Sequence, residues 1–369
     1  MTGTAGTGNI PVSGAGSRLM FYPAKAAVRA GLVNSFGATY WDLANVGMSS
    51  AAFGENTRAS GNQSFAAGLA TTASGHESVA LGNNATASRD RAFAFNGTAS
   101  AVGAVAIGSG AQATNDDALA MGPSSIAGGL ASIVIGPSIA NGNFGVAIGL
   151  QNSASGQFSV AIGKNARTAF RQGSIVLGDG CAGFSSDSVY PTANNQFVAR
   201  GCGGIKFYTS QNLSSGVEVA AGGGSWSTIS DRNRKENFLA LDGEMLLHQI
   251  RGIPVSSWNY IAQGAGIRHI GPMAQDWERT FGLSGDSTTI NTGDMAGVTF
   301  AGVQALERRT VEQAAELDAL RAELAERTRA HRAEHEAMRS ELDELRRIVD
   351  ALREAQRPAA VQQGSDGSR

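Results

Sequence analysis

One short phrase returns through the first half of the chain. Ser78-Val-Ala-Leu-Gly82 comes back as Ala104-Val-Ala-Ile-Gly108, Gly145-Val-Ala-Ile-Gly149, Ser159-Val-Ala-Ile-Gly163 and Ser174-Ile-Val-Leu-Gly178, with weaker copies ending at Gly54, Gly68, Gly122 and Gly136. The usual step is fourteen residues, as from Gly68 to Gly82 and from Gly149 to Gly163. Between Gly82 and Gly108 the pattern is imperfect, with Asn96 in the glycine place. A second phrase sits midway, as Ala59-Ser-Gly61, Ala73-Ser-Gly75 and Ala154-Ser-Gly156. A short fixed period of this kind marks a stacked β-solenoid. Apolar residues alternate within each phrase, Val79 with Leu81 and Val160 with Ile162, which is the period of a strand. Val and Ile favour strands, and the closing glycine allows the turn. One coil cannot bury its apolar face alone, so the coils above and below must cover it. The alanine between the two apolar residues faces the other way. A row of such alanines predicts a flat outer face on which copies of the chain associate.

Composition agrees with thin, repetitive structure. Of 369 residues 49 are glycine, and aromatics make up only 7%. Such a chain is poorly supplied for a bulky core and well supplied for tight turns. The net charge of −2, with no lysine-rich block, argues against nucleic acid and acidic membrane as partners. No apolar run approaches the ~20 residues of a membrane helix. The first residues lack the pattern of a secretory signal. The two cysteines, Cys181 and Cys202, fit no metal spacing, and two small buried thiols are expected in preference to a disulfide. No metal or other cofactor is expected.

The domain order read from the sequence is mainly β and then α. Residues 1–49 are irregular, and their apolar part, Ser17 to Gly31, is expected to cap the solenoid. Tyr22 and Trp41 are read there as packing residues. Repeats fill 50–179. In 180–229 the repeat is lost; Gln196–Arg200 and Gly204–Tyr208 read as two short strands joined by Gly-Cys-Gly-Gly, Val217–Val219 as a third, and Gly222–Ser225 as a flexible approach to the next domain. Asp242 to Gly252 predicts a short helix with Asp242 as its cap, Val255–Tyr260 a strand, and Pro272–Phe281 a second helix. These make 230–302 a small α+β domain. A long helix is expected from about Val298. Its residues 303–357 place Leu317, Leu324, Met338, Leu345 and Leu352 on one seven-residue row, with Leu342 and Val349 on the companion row. That is a coiled-coil pattern. Arg321, Thr328, His331 and His335 interrupt its core, an arrangement that sets register and that histidine could loosen near pH 6. Residues 358–369 read as a disordered tail.

The stretch from Ser227 to Phe238 separates the two architectures. It holds Lys235, one of four lysines with Lys25, Lys164 and Lys206. Ser230 and Lys235 have the chemistry of a nucleophile and its base, because a neutral amine can take a serine's proton. Burial and neighbouring charge such as Arg232 and Arg234 favour the neutral form. Five residues is about 500° of helix, and an odd separation on a strand puts side chains on opposite sides. The two therefore meet only if Asp231-Arg232-Asn233 makes a turn, which Asp and Asn favour. Otherwise Lys235 serves a neighbouring chain, or the stretch is a charged surface turn.

Ser230-Asp-Arg-Asn-Arg-Lys-Glu-Asn-Phe238, Trp258-Asn-Tyr260 and His269-Ile-Gly-Pro-Met-Ala-Gln-Asp276 together resemble the endosialidase-type C-terminal intramolecular chaperone of phage tailspikes and fibres. The resemblance covers roughly Trp226 to Arg309. It implies that Ser230 is the nucleophile, Lys235 the general base, and Ile229–Ser230 the bond cut. Asp231 and Asn233 are possible supporting residues. Many relatives carry Arg at the position of Asn233. His248 and His269 are read as structural rather than catalytic. The Val-Ala-Ile-Gly repeats resemble the YadA-like head of trimeric autotransporter adhesins, which implies a left-handed parallel β-roll, three chains around an axis, and a C-terminal trimeric coiled coil. The expected protein is thus a homotrimeric fibre or adhesin, on a virion or cell surface, that meets a host-surface glycan or protein. A self-cleaving Ser-Lys peptidase releases its chaperone. A non-cleaving adhesin with an idle dyad is the alternative. Nothing in the sequence shows the paired carboxylates of a polysaccharide hydrolase.

Overall fold

The computed structural model describes residues 2–181, 187–283 and 285–356. The tail expected at 358–369 lies outside the described residues. Contacts divide the chain into two compact units, with the division between Ile229 and Ser230.

The first unit is a β-solenoid of about nine turns. It opens with an antiparallel hairpin, β1 (Gly16–Tyr22) and β2 (Ala27–Val33). These two open a long sheet of thirteen strands, in which each neighbour from β2 onward is parallel, from Ala51–Glu55 through Val79–Asn83 and Val160–Lys164 to Phe197–Ala199. Eight two-residue strands from Arg58–Ala59 to Ser153–Ala154 form the second sheet. Coils stack in register, with Val146 opposite Val160, Ala147 opposite Ala161 and Ile148 opposite Ile162.

The interior reverses the expected sidedness. Ala52, Ala66, Ala80, Ala94, Ala106, Ala120, Ala147 and Ala161 of the long sheet are wholly buried, and they share one core with Ala59, Ala73, Ala87, Ala99 and Ala113 of the second sheet. The flanking Val, Leu, Ile and Phe side chains point outward; Ile162, Ile175 and Phe95 are 37%, 40% and 43% exposed. The alanines are therefore not an outer association face. A fourteen-residue coil folded into two short strands has room inside only for small side chains, alanine at most positions and valine at Val134 and Val176, so period-two alternation sends the larger residues out.

The corners are made by backbone. Each coil turns at residues in the left-handed region, many of them not glycine, among them Gln63 (φ 56°), Phe144 (φ 56°) and Phe158 (φ 56°). Their N–H groups bond to the coil before, as Gln63 N–H to Met48 O at 2.7 Å and Phe158 N–H to Asn143 O at 2.9 Å. Buried serine hydroxyls close the same corners; Ser64, Ser78 and Ser159 donate to the carbonyls of Gly61, Gly75 and Gly156.

Where an irregular segment was expected, the hairpin lays its second strand parallel to the first coil. Tyr22 and Trp41 are buried packing residues, and the Trp41 indole donates to Thr57 O at 2.7 Å. Arg29 stands opposite Ala52 and is wholly buried, donating to carbonyls of Val28, Ser50 and Ala59 and to the Ser50 hydroxyl. Burial pushes its guanidinium pKa down to about 10, still charged at neutral pH.

Past the repeats the structure departs from expectation at three points. Stacking continues one strand further, because Phe197–Ala199 pairs with Ile175–Leu177. Ile205–Tyr208 then pairs with Gly216–Val219, and the latter with Ser227–Thr228. The residues just before Ser230 are thus held as an edge strand, and Ile229 N–H reaches Gly216 O at 3.3 Å. The cysteines are exposed and joined in a disulfide, not two buried thiols. The extra strand is what brings the ends together: Asp179 accepts from Arg200 Nε at 2.7 Å and from Cys202 N–H at 2.6 Å, placing Cys202 beside Cys181. The Cys202 N–H, followed by Arg200, holds the Asp179 carboxyl below its usual range despite some desolvation.

The second unit contains α1 (Gly243–Gly252), a hairpin of Ser256–Trp258 with His269–Gly271, α2 (Ala274–Phe281) and α3 (Thr292–Ala355). Asp242 caps α1 through the N–H groups of Glu244 and Met245, as predicted. Leu246, Trp277, Gly302 and Ala305 are its buried residues. Glu244 on α1 takes a two-pronged ion pair from Arg309 on α3. α3 begins before the expected Val298 because Asn291 caps it through Gly293 N–H. At ~1.5 Å per residue its 64 residues span about 96 Å.

Two substitutions test the narrow interior. Ala147→Leu forces a branched side chain into a methyl-sized space and should lower stability by ~1–3 kcal/mol. Gly149→Ala meets both a φ of +115° and a Gly163 carbonyl oxygen 2.1 Å from the new Cβ. Thermal unfolding should show both below wild type, while Thr86→Ser, on the outward polar row of the second sheet, should change it little.

Candidate functional site

The site grows from a turn of six residues. Asp231, in extended conformation, accepts from Asn233 N–H at 2.9 Å and from the Asn233 amide at 3.2 Å. This starts one turn of 3-10 helix, Arg232–Arg234, closed by Arg234 N–H to Asp231 O and Lys235 N–H to Arg232 O. Asp and Asn serve because their short polar groups bond backbone two residues away. The chain therefore reverses between Ser230 and Lys235, and Lys235 Nζ lies 2.7 Å from Ser230 Oγ. Neither helix nor strand allows that contact at this spacing; the turn does.

Its surroundings are open within one chain. Ser230 and Lys235 are both exposed. Arg234 lies 3.7 Å from Asp231, and the Arg232 guanidinium sits 5.7 Å from the Phe238 ring centroid. Both arginines are thereby turned to neighbours of their own. Ile229 belongs to the first unit, as the residue after the edge strand.

Of the sequence-predicted residues, Ser230 and Lys235 are brought together, and Asp231 and Asn233 form the turn that does it. His269 packs elsewhere in the second unit: its ring lies 4.8 Å from Trp258 and 5.4 Å from Tyr260, and its Nε2 is 2.8 Å from Gln263 Oε1. The cap role of Asp231 was open to prediction from its position two residues before Asn233. Among the described residues the one group of three metal-type ligands is Asp179, Cys181 and Cys202, whose two sulfurs are already paired.

The comparisons agree with this architecture. Residues 230–282 match the family model described as chaperone of endosialidase. Five stretches, 47–70, 73–95, 99–125, 113–138 and 140–166, match the YadA head domain repeat. The chain therefore has segments similar to YadA head repeats, followed by one similar to an endosialidase-type chaperone. No curated protein matches it significantly. The pairing points to a trimeric adhesin or fibre with an intramolecular chaperone, of a family associated with autoprocessing. Among the described residues no helix is long and apolar enough to cross a membrane.

Proposed function

We propose that the chain is a self-maturing homotrimeric fibre or adhesin whose C-terminal unit guides assembly and is then cut away between Ile229 and Ser230. The single observation that carries this reading is the 2.7 Å contact of Lys235 Nζ with Ser230 Oγ at the first residues of the matched chaperone segment. The Ser230 proton passes to the neutral Lys235 amine as Oγ attacks the Ile229 carbonyl carbon. A five-membered intermediate forms; its C–N bond breaks, and the released Ser230 amine takes up a proton. An ester now joins Ile229 to Ser230 Oγ, and water hydrolyses it to the Ile229 carboxylate and the free Ser230 hydroxyl. Each chain turns over once, so no substrate pocket is needed. Removing the guide leaves the fibre kinetically trapped.

Assembly has its own support. The outward row of the long sheet is apolar: Val79, Leu81, Val105, Ile107, Val160 and Ile162. The outward row of the second sheet is mostly polar, with Thr72, Thr86, Thr98 and Gln112. An apolar strip this long is unusual on a lone soluble chain. Three left-handed rolls facing inward through the long sheet would bury it. The heptad rows of α3 are likewise exposed, Leu324 at 66% and Leu352 at 57%. In a parallel in-register bundle Glu334 and Glu341 fall opposite Arg339 and Arg346 of neighbours, the charge pairing such bundles use. The outer surface and any host glycan or protein that it meets belong to the assembled fibre on a virion or cell surface.

The exposure of the dyad favours one other reading, an adhesive trimer in which the pair is idle. The activating step in the preferred reading is burial on assembly, which drives the amine towards its neutral form. Denaturing electrophoresis separates the two. Wild type should yield two fragments with a new N-terminus at Ser230, whereas Ser230→Ala and Lys235→Ala should each run as one full-length band. Lys235→Arg should also stay uncut, because arginine keeps its proton. Full cutting of Ser230→Ala would overturn the mechanism, and an uncut wild-type trimer would establish the idle dyad. Asp231→Ala removes the acceptor that forms the turn and should slow cutting, while Asp231→Asn, which keeps an acceptor, should stay closer to wild type. Ile162→Asp should turn a sedimenting trimer into smaller species, and Thr86→Asp should leave it intact.

A further inference from the structure

The middle of α3 is where the heptad rows lose their apolar residues. Leu317, Leu324, His331, Met338, Leu345 and Leu352 are seven apart on one row, and Thr328, His335, Leu342 and Val349 on the other. His331 and His335 thus stand in successive core layers. They are one helical turn apart, and their rings stack with centroids 5.2 Å apart and planes 20° from parallel. Both are exposed in the single chain. Buried in a bundle without a partner, six imidazoles would be destabilising compared with leucine. Imidazole is also the commonest ligand for zinc, nickel and copper.

We propose that His331 and His335 form a transition-metal site on the rod axis, where the pairs from three chains converge on one divalent ion. This rests on the trimeric reading above. Spacing of four on a helix puts both rings on one side, one above the other, so each chain offers two nitrogens to the same region. Three chains supply the six nitrogens of an octahedral shell, which suits nickel and cobalt. The charge of this stretch sums to zero, although the charged groups on the side of the pair are arginines. Between residues 321 and 336 the four arginines (Arg321, Arg327, Arg329, Arg332) are matched by four glutamates (Glu323, Glu326, Glu334, Glu336), and Arg327 pairs with Glu323 at 2.8 Å. The groups facing the pair on its own helix are Arg327, Thr328 and Arg332. In a parallel bundle the same residues of the two neighbours face it too. The chain's other histidines, His76, His248 and His269, stand singly and lack this chelate spacing. Such an ion would pin the register of three rods at their least apolar point. Protons compete for the same nitrogens, so acid would release it.

The test uses untagged full-length chain carrying Ser230→Ala, so that the rod stays attached. Its mass is first measured by sedimentation, and Ni2+ is then titrated calorimetrically at pH 7.5 and pH 5.5. The expected result is a trimer that takes up one Ni2+ per three chains at pH 7.5, with binding lost at pH 5.5 and a higher melting temperature for the helical signal when Ni2+ is present. His331→Leu with His335→Leu restores apolar core residues, so the rod should remain helical and trimeric while that binding disappears. A trimer that takes up no Ni2+, or one ion per chain, overturns the shared site and leaves the trimeric reading standing. So does uptake that survives the double substitution. A monomeric chain overturns the trimeric reading, and the shared site with it.

Discussion

The solenoid depends on backbone hydrogen bonds between successive coils, made at a separation that only small interior side chains allow. Ala147 over Ala161, with Gly149 against the Gly163 carbonyl, shows how little space is left. That closeness governs the rest of the stack. Corners are forced into left-handed conformations, and residues as unsuited as Phe144 and Phe158 accept them because each corner N–H finds a carbonyl in the coil before. Larger side chains have nowhere to go but out. A globular domain gains most of its stability from burying such residues inside; a single copy of this chain buries mostly alanine in its coils and leaves Ile162, Ile175 and Phe95 more than a third exposed. The proposed trimer would cover them.

The same logic bears on the second unit. Parallel coils must close loops before contact rewards them, which makes such stacks slow to form. In the proposed trimer a rod of local contacts would have no such delay and would concentrate the slower segments of its neighbours. The chaperone unit has a small core of Leu246, Trp277 and Ala305, held by caps at Asp242 and Asn291 and by the Glu244–Arg309 pair. Ser230 and Lys235 sit at its first residues, and their pairing is entirely local, set by Asp231 and Asn233. Both side chains are exposed in the single chain.

The elements whose cause lies within a few residues were legible in the sequence. The period, the strand alternation, the Asp242 cap, the heptad rows and the need for a turn between Ser230 and Lys235 all come from neighbours in the chain. Elements whose cause lies in distant packing were not. The fate of Cys181 and Cys202 depended on an extra strand, Phe197–Ala199, that carries no repeat phrase. The strand Ser227–Thr228 depended on a partner at Val217–Glu218.

The sequence by itself determined that the first half is a stack of fourteen-residue coils, that the last part is a long amphipathic helix, and that a serine and a lysine five apart stand between them. Only the tertiary structure decided which side of each strand is inside. Alternation with a period of two says that two faces differ and is silent on which one is enclosed. That choice is made by volume: a coil this narrow admits alanine and excludes isoleucine, so the larger residues become the outer surface.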